Sequence, residues 1–342
     1  MLPALLHSLI AHEDLTADQA AAAMGEIMAG RATPAATAAL LIALAMKGER
    51  PAEIVGFATT MRREAVAFET GGRAVFDTCG TGGDKSGSFN ISSAAALVVA
   101  ACGVPVAKHG NRSVSSRCGS ADVFEALGVA VAAPPATVER CLAEAGIAFL
   151  FAPTFHPSMR HAAPTRRELG VRTAFNLLGP LTNPARPARQ LVGVPRPELT
   201  ELLARALLML GSERAWVVHG ADGLDELSLS GYTKVSECRD GAVQTYYVHP
   251  SDFGLRKAPA EALAGGTAPE NAALVRRVLG GEKGALRDVT LLNAGASLFI
   301  AGHAGSVRDG IDEAARAIDN GAALGTLERL VRVSQAGGGP PA

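Results

Sequence analysis

The feature that most limits how this chain can fold is a change of sequence pattern at Ala74. Before that residue the sequence carries only helix signals, such as the capping-box spacing of Thr16–Gln19 and the helix start at Thr33 and Pro34. After it, short extended runs alternate with helical segments, which is the pattern of a mostly parallel sheet with helices on both faces. The sequence therefore predicts a small all-helical domain followed by a larger α/β domain.

The α/β segment contains five predicted strands, several of which lead directly into polar motifs. The predicted strands are Val75–Thr78, Val104–Val106, Ile147–Phe151, Leu191–Val194 and Trp216–His219. From Pro269 onwards the pattern returns to helices. We predict the helical domain over residues 1–72, completed by part of about 165–190, and the α/β domain over residues 73–342.

Composition excludes several classes of protein. The 342 residues are 48% apolar and 19% charged, which provides for folded cores and rules out a disordered chain. The net charge of -1 gives no broad basic surface, so we expect no nucleic acid partner. The five cysteines form no C-x-x-C pair, and the longest apolar runs, such as Ala94–Ala107, are too short to span a bilayer. We therefore predict a cytoplasmic protein that does not contact a membrane.

The glycines of Gly80–Gly83 follow the first predicted strand and precede a helix that begins near Ser92. Glycine lets backbone N–H groups approach a ligand closely, and a helix N-terminus adds roughly half a positive charge. The segment is neither a Walker loop nor a dinucleotide fingerprint, because Asp84 and Lys85 occupy positions where those motifs need glycine. An aspartate in a phosphate loop indicates a sugar hydroxyl or a metal ion. The segment thus favours a phosphorylated sugar, although a tight strand-to-helix turn would explain the glycines alone.

Three further polar clusters indicate charged ligands. Lys108–Ser116 leaves the end of the second strand, where ligands of open α/β sheets bind, and its cations, amides and hydroxyls favour an anion over a solvated loop. His156–Arg167 offers paired guanidiniums that match a carboxylate, though each arginine taken singly fits a surface or domain-bridging position. The adjacent carboxylates of Asp222–Glu226 could hold Mg²⁺ or form an ordinary acidic turn.

Five motifs, taken in order along the chain, resemble those of the anthranilate phosphoribosyltransferase family. They are Gly80–Asp84, Asn90–Ser92, Lys108–Arg112, Asn176–Pro184 and Asp222–Glu226. Each motif alone is weakly specific, but the five together are highly specific and cover essentially the whole chain. Ser88 and Ser93 depart mildly from the family's pattern, because serine stands where threonine is frequent or usual, and the hydroxyl is kept.

The resemblance implies a fold of the nucleoside phosphorylase/phosphoribosyltransferase type, a homodimer and a Mg²⁺-dependent reaction. In that reaction the amine of anthranilate attacks the anomeric carbon of phosphoribosyl pyrophosphate (PRPP). Pyrophosphate leaves, and the product is the N-(5-phosphoribosyl)anthranilate of tryptophan biosynthesis. Electrostatic stabilisation of the leaving group is then the main catalytic requirement, so no enzyme nucleophile is needed and no dedicated catalytic residue is predicted.

The resemblance also implies which residues form three subsites. The PRPP subsite comprises Gly80, Gly83, Asp84, Ser88, Asn90, Ile91, Ser92, Ser93, Lys108, Ser116 and Ser120. The anthranilate subsite comprises Gly80, His109, Asn111 and Arg166, and the metal ligands are Ser92, Asp225 and Glu226. In this set Arg166 is the natural partner of the anthranilate carboxylate, and His109 is favoured as a wall of the pocket rather than a base.

Two alternative functions are open at this point. A nucleoside phosphorylase also works at an anomeric carbon, but it uses free phosphate and does not need the paired carboxylates Asp225 and Glu226. A non-catalytic relative of the same fold that binds nucleic acid is the second alternative. The net charge of -1 and the intact motifs argue against it.

Overall fold

The computed structural model describes residues 2–113 and 117–336, and it begins with a bundle of four helices. These helices are α1 (Leu2–Ile10), α2 (Ala17–Met28), α3 (Pro34–Lys47) and α4 (Pro51–Glu64). Thr16 caps α2 in the predicted capping box, and Thr33 caps α3 by accepting a hydrogen bond from the backbone N–H of Ala36. The helix starts predicted from local sequence are thus confirmed, because each depends on a side chain and a backbone group only three residues apart.

The α/β part contains a seven-stranded sheet with the order β3-β2-β1-β4-β5-β6-β7. The strands are β1 (Phe76–Gly80), β2 (Val106–Gly110), β3 (Ile147–Phe151), β4 (Arg189–Gly193), β5 (Arg214–Gly220), β6 (Thr233–Arg239) and β7 (Ala242–Val248). The first five strands are parallel, and β6 and β7 extend the β5 edge as an antiparallel hairpin. The chain leaves β1 for β2 on one side and later enters β4 on the other. The carboxyl ends of β1 and β4 therefore face a crevice of the kind that binds ligands.

Helices cover both faces of this sheet. They are α5 (Ile91–Ala101), α6 (Ser120–Ala126), α7 (Pro135–Ala145), α8 (Ala152–Phe155), α9 (Ala163–Leu169), α10 (Leu199–Met209), α11 (Ala268–Leu279), α12 (Ala285–Ile300), α13 (Val307–Asp319) and α14 (Ala322–Gln335). Successive residues of β4 enter two apolar clusters, because Leu191 packs with α5 and the C-terminal helices, and Val192 packs with α10. The predicted fold class is confirmed. Across residues 2–113 and 117–336, no helix has the length and apolar character needed to cross a membrane.

The apolar core of the helical bundle continues into the α/β part. Leu40 of α3 and Phe57 of α4 share one buried cluster with Leu203 of α10 and Val217 of β5. Phe175, which follows α9, belongs to the same cluster. We keep two predictions about the domains. The chain divides at residue 72, and part of about 165–190 completes the helical domain, which the contacts of Phe175 support.

Two details of the sheet differ from the sequence predictions. Strand β2 extends to Gly110, so Lys108 and His109 lie inside the strand and not beyond its end, because β3 pairs with β2 along its whole length. The sequence predictions also lack the β6–β7 hairpin. Its turn residues Asp240 and Gly241 have φ values of 51° and 78°, and an Asp-Gly pair between alternating residues is a strong hairpin signal.

Candidate active site

A cleft of about 660 Å³ opens at the carboxyl ends of the parallel strands. The loops after β1 and β2 and the segment after β5 line one side of it. The other side is lined by α8, by α9 and by residues that follow α9, including Arg172 and Phe175. The cleft thus lies where an open α/β sheet binds ligands, between the sheet and the chain that packs with the helical bundle.

The loop after β1 presents backbone groups to the cleft. Gly82 and Gly83 have φ values of 64° and 84°, a conformation that glycine adopts without steric cost. The far end of the loop is held in place, because the carbonyl of Gly87 accepts a hydrogen bond of 2.8 Å from the backbone N–H of Gly265. The loop then enters α5 at Ile91, so the N-terminus of this helix adds partial positive charge to the cleft.

Three carboxylates gather beside this loop, namely Asp84, Asp225 and Glu226. Asp225 Oδ2 accepts a hydrogen bond of 3.2 Å from the backbone N–H of Gly82. Glu226 Oε1 accepts one of 3.0 Å from the backbone N–H of Ser92. Burial and the neighbouring charge of Asp84 raise the pKa of Asp225 well above its usual range, and burial raises the pKa of Glu226. A cation placed between these carboxylates would relieve their repulsion.

Lys108 lies below the carboxylates and is almost completely enclosed. Its side chain is 1% exposed, and its Nζ donates to the backbone carbonyl of Thr78 and, over 3.3 Å, to Ser92 Oγ. The charge of Lys108 opposes the effect of burial on the pKa of Glu226. This lysine therefore fixes one positive charge at the base of the glycine loop.

Strands β1 and β2 separate as they approach the cleft. Within the described residues they align only at Phe76 and Val106, whereas β1 and β4 align at five residue pairs. Side chains occupy the gap between the separated strands. The carbonyl of Thr78 on β1, for example, accepts its hydrogen bond from Lys108 Nζ of β2.

The buried pair Asp77 and Asn183 completes this gap. Asp77 is fully buried, and its carboxylate accepts hydrogen bonds from Asn183 Nδ2 at 2.9 Å and from the backbone N–H of His109 at 3.3 Å. Asn183 Nδ2 also donates to the carbonyl of Ala107 over 2.8 Å. Burial raises the pKa of Asp77, and the nearby charge of Lys108 opposes that change. The pair thus fixes the backbone on which Lys108 and His109 are mounted.

Two histidines, His109 and His156, lie in the middle of the cleft. Their ring centroids are 5.2 Å apart, and in each ring Nε2 is buried without a hydrogen-bond partner among the described residues. His109 Nδ1 lies 2.9 Å from the carbonyl oxygen of Gly179, which fixes the orientation of that ring. Burial lowers the pKa of both imidazoles, to about 3 for His156. Two uncharged rings therefore line this region, and the role of His109 as a wall stays a prediction.

Arg166 of α9 also lines the cleft. Its guanidinium carbon is 4.9 Å from the ring centroid of Phe175, and no described residue accepts a hydrogen bond from it. Burial lowers the pKa of Arg166. Arg112, by contrast, is paired with Glu125 over 2.7 Å and with Asp122. Arg166 is thus available for a planar anion, whereas the charge of Arg112 is already balanced.

The structure brings most of the predicted site residues together in this cleft. They are Gly80, Gly83, Asp84, Ser88, Asn90, Ile91, Ser92, Lys108, His109, Asn111, Ser120, Arg166, Asp225 and Glu226. Ser93 does not line the cleft, because the turn of the helix between Ser92 and Ser93 directs its side chain into the buried interior. Ser116 lies outside the described residues. The functional roles of all these residues stay predictions.

Arg172 in the cleft lining and the buried pair Asp77 and Asn183 have no place among the site residues predicted from the sequence. Asp77 and Asn183 lie 106 residues apart, so no local pattern marks their hydrogen bond. Asp222, by contrast, belongs to an acidic motif predicted from the sequence but is not part of the described cleft lining. Its carboxylate instead accepts a hydrogen bond of 2.7 Å from Ser228 Oγ within its own turn.

Comparison with known families gives the class to which this fold and cleft belong. Residues 3–65 match the family model described as the helical bundle domain of the glycosyl transferase family. Residues 72–324 match the model described as the a/b domain of the same family. The molecule is therefore a two-part glycosyl transferase, with a helical bundle and an α/β part.

Individual relatives narrow this class. A protein of Moorella thermoacetica named anthranilate phosphoribosyltransferase is 55% identical over 97% of this chain and 98% of its own length. The crystal structure of anthranilate phosphoribosyltransferase from Thermus thermophilus is 48% identical, covers 96% of this chain and 99% of that chain, and has a TM-score of 0.92. The Saccharomyces cerevisiae enzyme of the same name, in complex with PRPP and Mg, is 26% identical with a TM-score of 0.89 over 98% of each chain. This chain belongs to the anthranilate phosphoribosyltransferase family, which confirms the resemblance found in its motifs.

Proposed function

We propose that this chain transfers the phosphoribosyl group of PRPP to the amine of anthranilate, a step of tryptophan biosynthesis that releases pyrophosphate. The observation that carries this proposal is that two chemically different groups of residues line one cleft, which we call its donor end and its acceptor end. One end combines backbone N–H groups, Lys108 and three carboxylates, which suits a phosphorylated donor that arrives with a metal ion. The other end holds Arg166 beside uncharged rings, which suits an aromatic acid.

Mg²⁺ is the cofactor that this proposal requires, and the donor end fits it. Asp84 Oδ2 is buried without a hydrogen-bond partner among the described residues, and repulsion contributes to the raised pKa of Asp225. Within residues 2–113 and 117–336, no three His, Cys, Asp or Glu side chains form a complete metal site. Mg²⁺ usually binds through one or two carboxylates together with substrate phosphates, so a partial site is sufficient. Ser92, Asp225 and Glu226 are the proposed ligands, and the bound ion would neutralise charge on the leaving pyrophosphate.

At the donor end, the chain's own groups bind and orient PRPP. The backbone N–H groups of the glycine loop and of the α5 N-terminus face the phosphates, and Lys108 supplies a fixed charge. These groups are held in place before the substrate binds. They therefore stabilise the charge that develops on pyrophosphate without having to reorganise. Cys79 takes no part as a nucleophile, because burial raises the pKa of its thiol well above the usual range.

At the acceptor end, Arg166 would bind the anthranilate carboxylate, and the rings of His109 and His156 would exclude water from the amine. The amine then faces the anomeric carbon that the donor end presents. An aromatic amine is weakly basic, so it loses its proton readily once the new C–N bond has formed. The reaction therefore depends on positioning and charge stabilisation, and not on a strong general base.

We also propose a homodimer formed through the helical bundle and a cytoplasmic location. Ile10 of α1 and Met46 of α3 are 71% and 79% exposed on two helices that pack together, and homodimer interfaces are more apolar than the rest of a protein surface. Light scattering should give twice the monomer mass of 35.0 kDa, and a monomer would contradict the proposal. The family match disfavours the nucleoside phosphorylase and the nucleic-acid-binding alternatives.

The proposed activity can be tested directly by mixing the protein with anthranilate, PRPP and Mg²⁺. The fluorescence of anthranilate should fall only when all components are present, and pyrophosphate should appear in equal amount. Incubation of the protein with a nucleoside and free phosphate tests the phosphorylase alternative. Consumption of a nucleoside with free phosphate, without loss of anthranilate, would contradict the proposal.

Arg166→Ala is expected to raise the KM for anthranilate more than it lowers kcat. A charge-assisted hydrogen bond contributes about 1.5–3 kcal/mol, so the KM should rise roughly ten- to a hundredfold. Steady-state kinetics with varied anthranilate measures this change. Arg167→Ala is the control, because Arg167 is exposed and lies outside the cleft lining of the described chain. An unchanged KM in Arg166→Ala would remove this arginine from the role.

Asp225→Asn is expected to weaken Mg²⁺ binding, because one charged oxygen ligand is lost. The Mg²⁺ concentration for half-maximal activity should rise about tenfold or more. Asp222→Asn is the matched control, since Asp222 lies in the same motif but bonds within its own turn. If Asp225→Asn and the unmodified protein give the same Mg²⁺ titration curve, Asp225 is not a ligand.

A further inference from the structure

Arg172 lies on the glycine loop, although it comes from a distant part of the chain. It follows α9 and precedes the short 3₁₀ turn Ala174–Asn176, so its backbone belongs to the wall of the cleft opposite the sheet. Its Nη1 atom occupies the space that a Cβ on Gly83 would need. The guanidinium therefore packs directly against the loop that presents backbone N–H groups to the donor.

The charge of Arg172 is not used within the described structure. No described residue forms a hydrogen bond or ion pair with it, in contrast to Arg112, which is held by Glu125. Burial and the nearby charge of Arg196 lower the pKa of Arg172, and the nearby charges of Asp225 and Asp84 have a smaller, opposite effect. This arginine thus faces the carboxylates of the donor end without bonding to any of them.

Arg172 and Arg166 serve different ends of the cleft. Arg166 lies over the ring of Phe175 at the acceptor end, whereas Arg172 touches Gly83 at the donor end. Lys108 is the buried cation of the donor end, and it is already committed to Thr78 and Ser92. A donor whose pyrophosphate carries several negative charges leaves room for a second, uncommitted cation with planar donor geometry.

We propose that Arg172 binds the pyrophosphate part of the donor and stabilises the charge that pyrophosphate gains as it leaves. This inference rests on the proposed function and adds a residue to its donor subsite. Because the guanidinium reaches the loop from the opposite wall of the cleft, it holds the leaving group from the side that faces away from the sheet. Arg172 would then act on donor affinity and on kcat, with little effect on anthranilate affinity.

The test compares Arg172→Gln, Arg172→Lys and the control Arg167→Gln, whose side chain is exposed outside the described cleft lining. Steady-state kinetics gives kcat and the KM of each substrate, and calorimetry gives the Kd of pyrophosphate with Mg²⁺. For Arg172→Gln we expect a roughly ten- to hundredfold weaker affinity for pyrophosphate and a higher KM for PRPP. The KM for anthranilate should stay within about twofold, and Arg172→Lys should recover part of the loss because it keeps the charge.

Each outcome decides the proposal. Unchanged pyrophosphate affinity in Arg172→Gln, with circular dichroism showing a folded chain, would overturn it. An equal loss of affinity for PRPP and for anthranilate would also overturn it, because that result indicates a structural role. If Arg172→Gln fails to fold, Arg172→Lys decides the proposal: a folded Arg172→Lys with no more affinity for pyrophosphate than a chain without this charge would overturn it. An unmodified protein that binds pyrophosphate but does not consume anthranilate would refute the proposed function and leave the calorimetric test of Arg172 intact.

Discussion

Gly193→Ala is expected to reduce kcat/KM by about a hundredfold or more while the chain remains folded. Gly193 ends β4, and a Cβ at this position would overlap the backbone carbonyl of Asp225. A backbone carbonyl cannot rotate away as a flexible side chain can, so either the end of β4 or the Asp225 segment must move. The carbonyl of Gly193 also accepts a hydrogen bond of 2.9 Å from the backbone N–H of Thr81 in the glycine loop. One methyl group therefore displaces two parts of the donor end together.

Gly231→Ala is the matched control for this variant. The nearest atom to a Cβ at Gly231 is the Cβ of Ala221 at 4.0 Å, which is ordinary packing distance. Its kcat/KM should equal that of the unmodified protein, and both variants should have native circular dichroism spectra. If Gly193→Ala keeps kcat/KM within about fivefold, the contact between β4 and Asp225 does not position the donor end.

Asn183→Leu is expected to lower the free energy of unfolding by about 3–5 kcal/mol. The substitution removes both hydrogen bonds that Asn183 Nδ2 donates, to Asp77 and to the carbonyl of Ala107. The Asp77 carboxylate is fully buried, so water cannot replace the lost donor. Asp77 keeps the hydrogen bond from the backbone N–H of His109, but losing a donor to a buried charged group costs more than losing a neutral hydrogen bond.

Urea unfolding measures this loss, and Thr182→Val provides a graded control at the neighbouring buried position. Thr182 Oγ1 donates to the carbonyl of Leu178 over 2.9 Å, and loss of this neutral bond should cost about 1 kcal/mol. Equal effects in the two variants would show that the Asp77–Asn183 bond carries no special weight. Activity should also fall in Asn183→Leu, because the backbone N–H of His109 is held by Asp77.

The sequence predicts those features of secondary structure that depend on residues close together in the chain. The caps at Thr16 and Thr33 join groups three residues apart, and the glycines at 82 and 83 mark backbone with positive φ. The β6–β7 hairpin is absent from the sequence predictions, although Asp240 and Gly241 form a recognisable turn signal. The motif order along the chain was enough to identify the family.

No local sequence pattern indicates the contacts between residues that are far apart in the chain. The bond between Asp77 and Asn183 joins residues 106 apart, and it lies beside β1 where β1 and β2 are no longer aligned. Arg172 reaches Gly83 from the opposite wall, and the sequence between them gives no indication of that contact. Such pairs depend on strand order and on how the bundle-associated segment packs over the sheet.

The order of helices and strands, the helix caps, the glycine loop and the family can all be read from the amino-acid sequence, because they follow from local backbone preferences and from residue types in a fixed order. Which polar side chains face the cleft depends on the three-dimensional packing of the chain. Ser92 and Asp225 line the cleft, whereas their near neighbours Ser93 and Asp222 do not. The guanidinium groups of Arg166 and Arg172 form no hydrogen bond or ion pair within the described chain. Helix rotation, strand separation and packing between distant segments set these differences, and none of them is encoded in a short stretch of sequence.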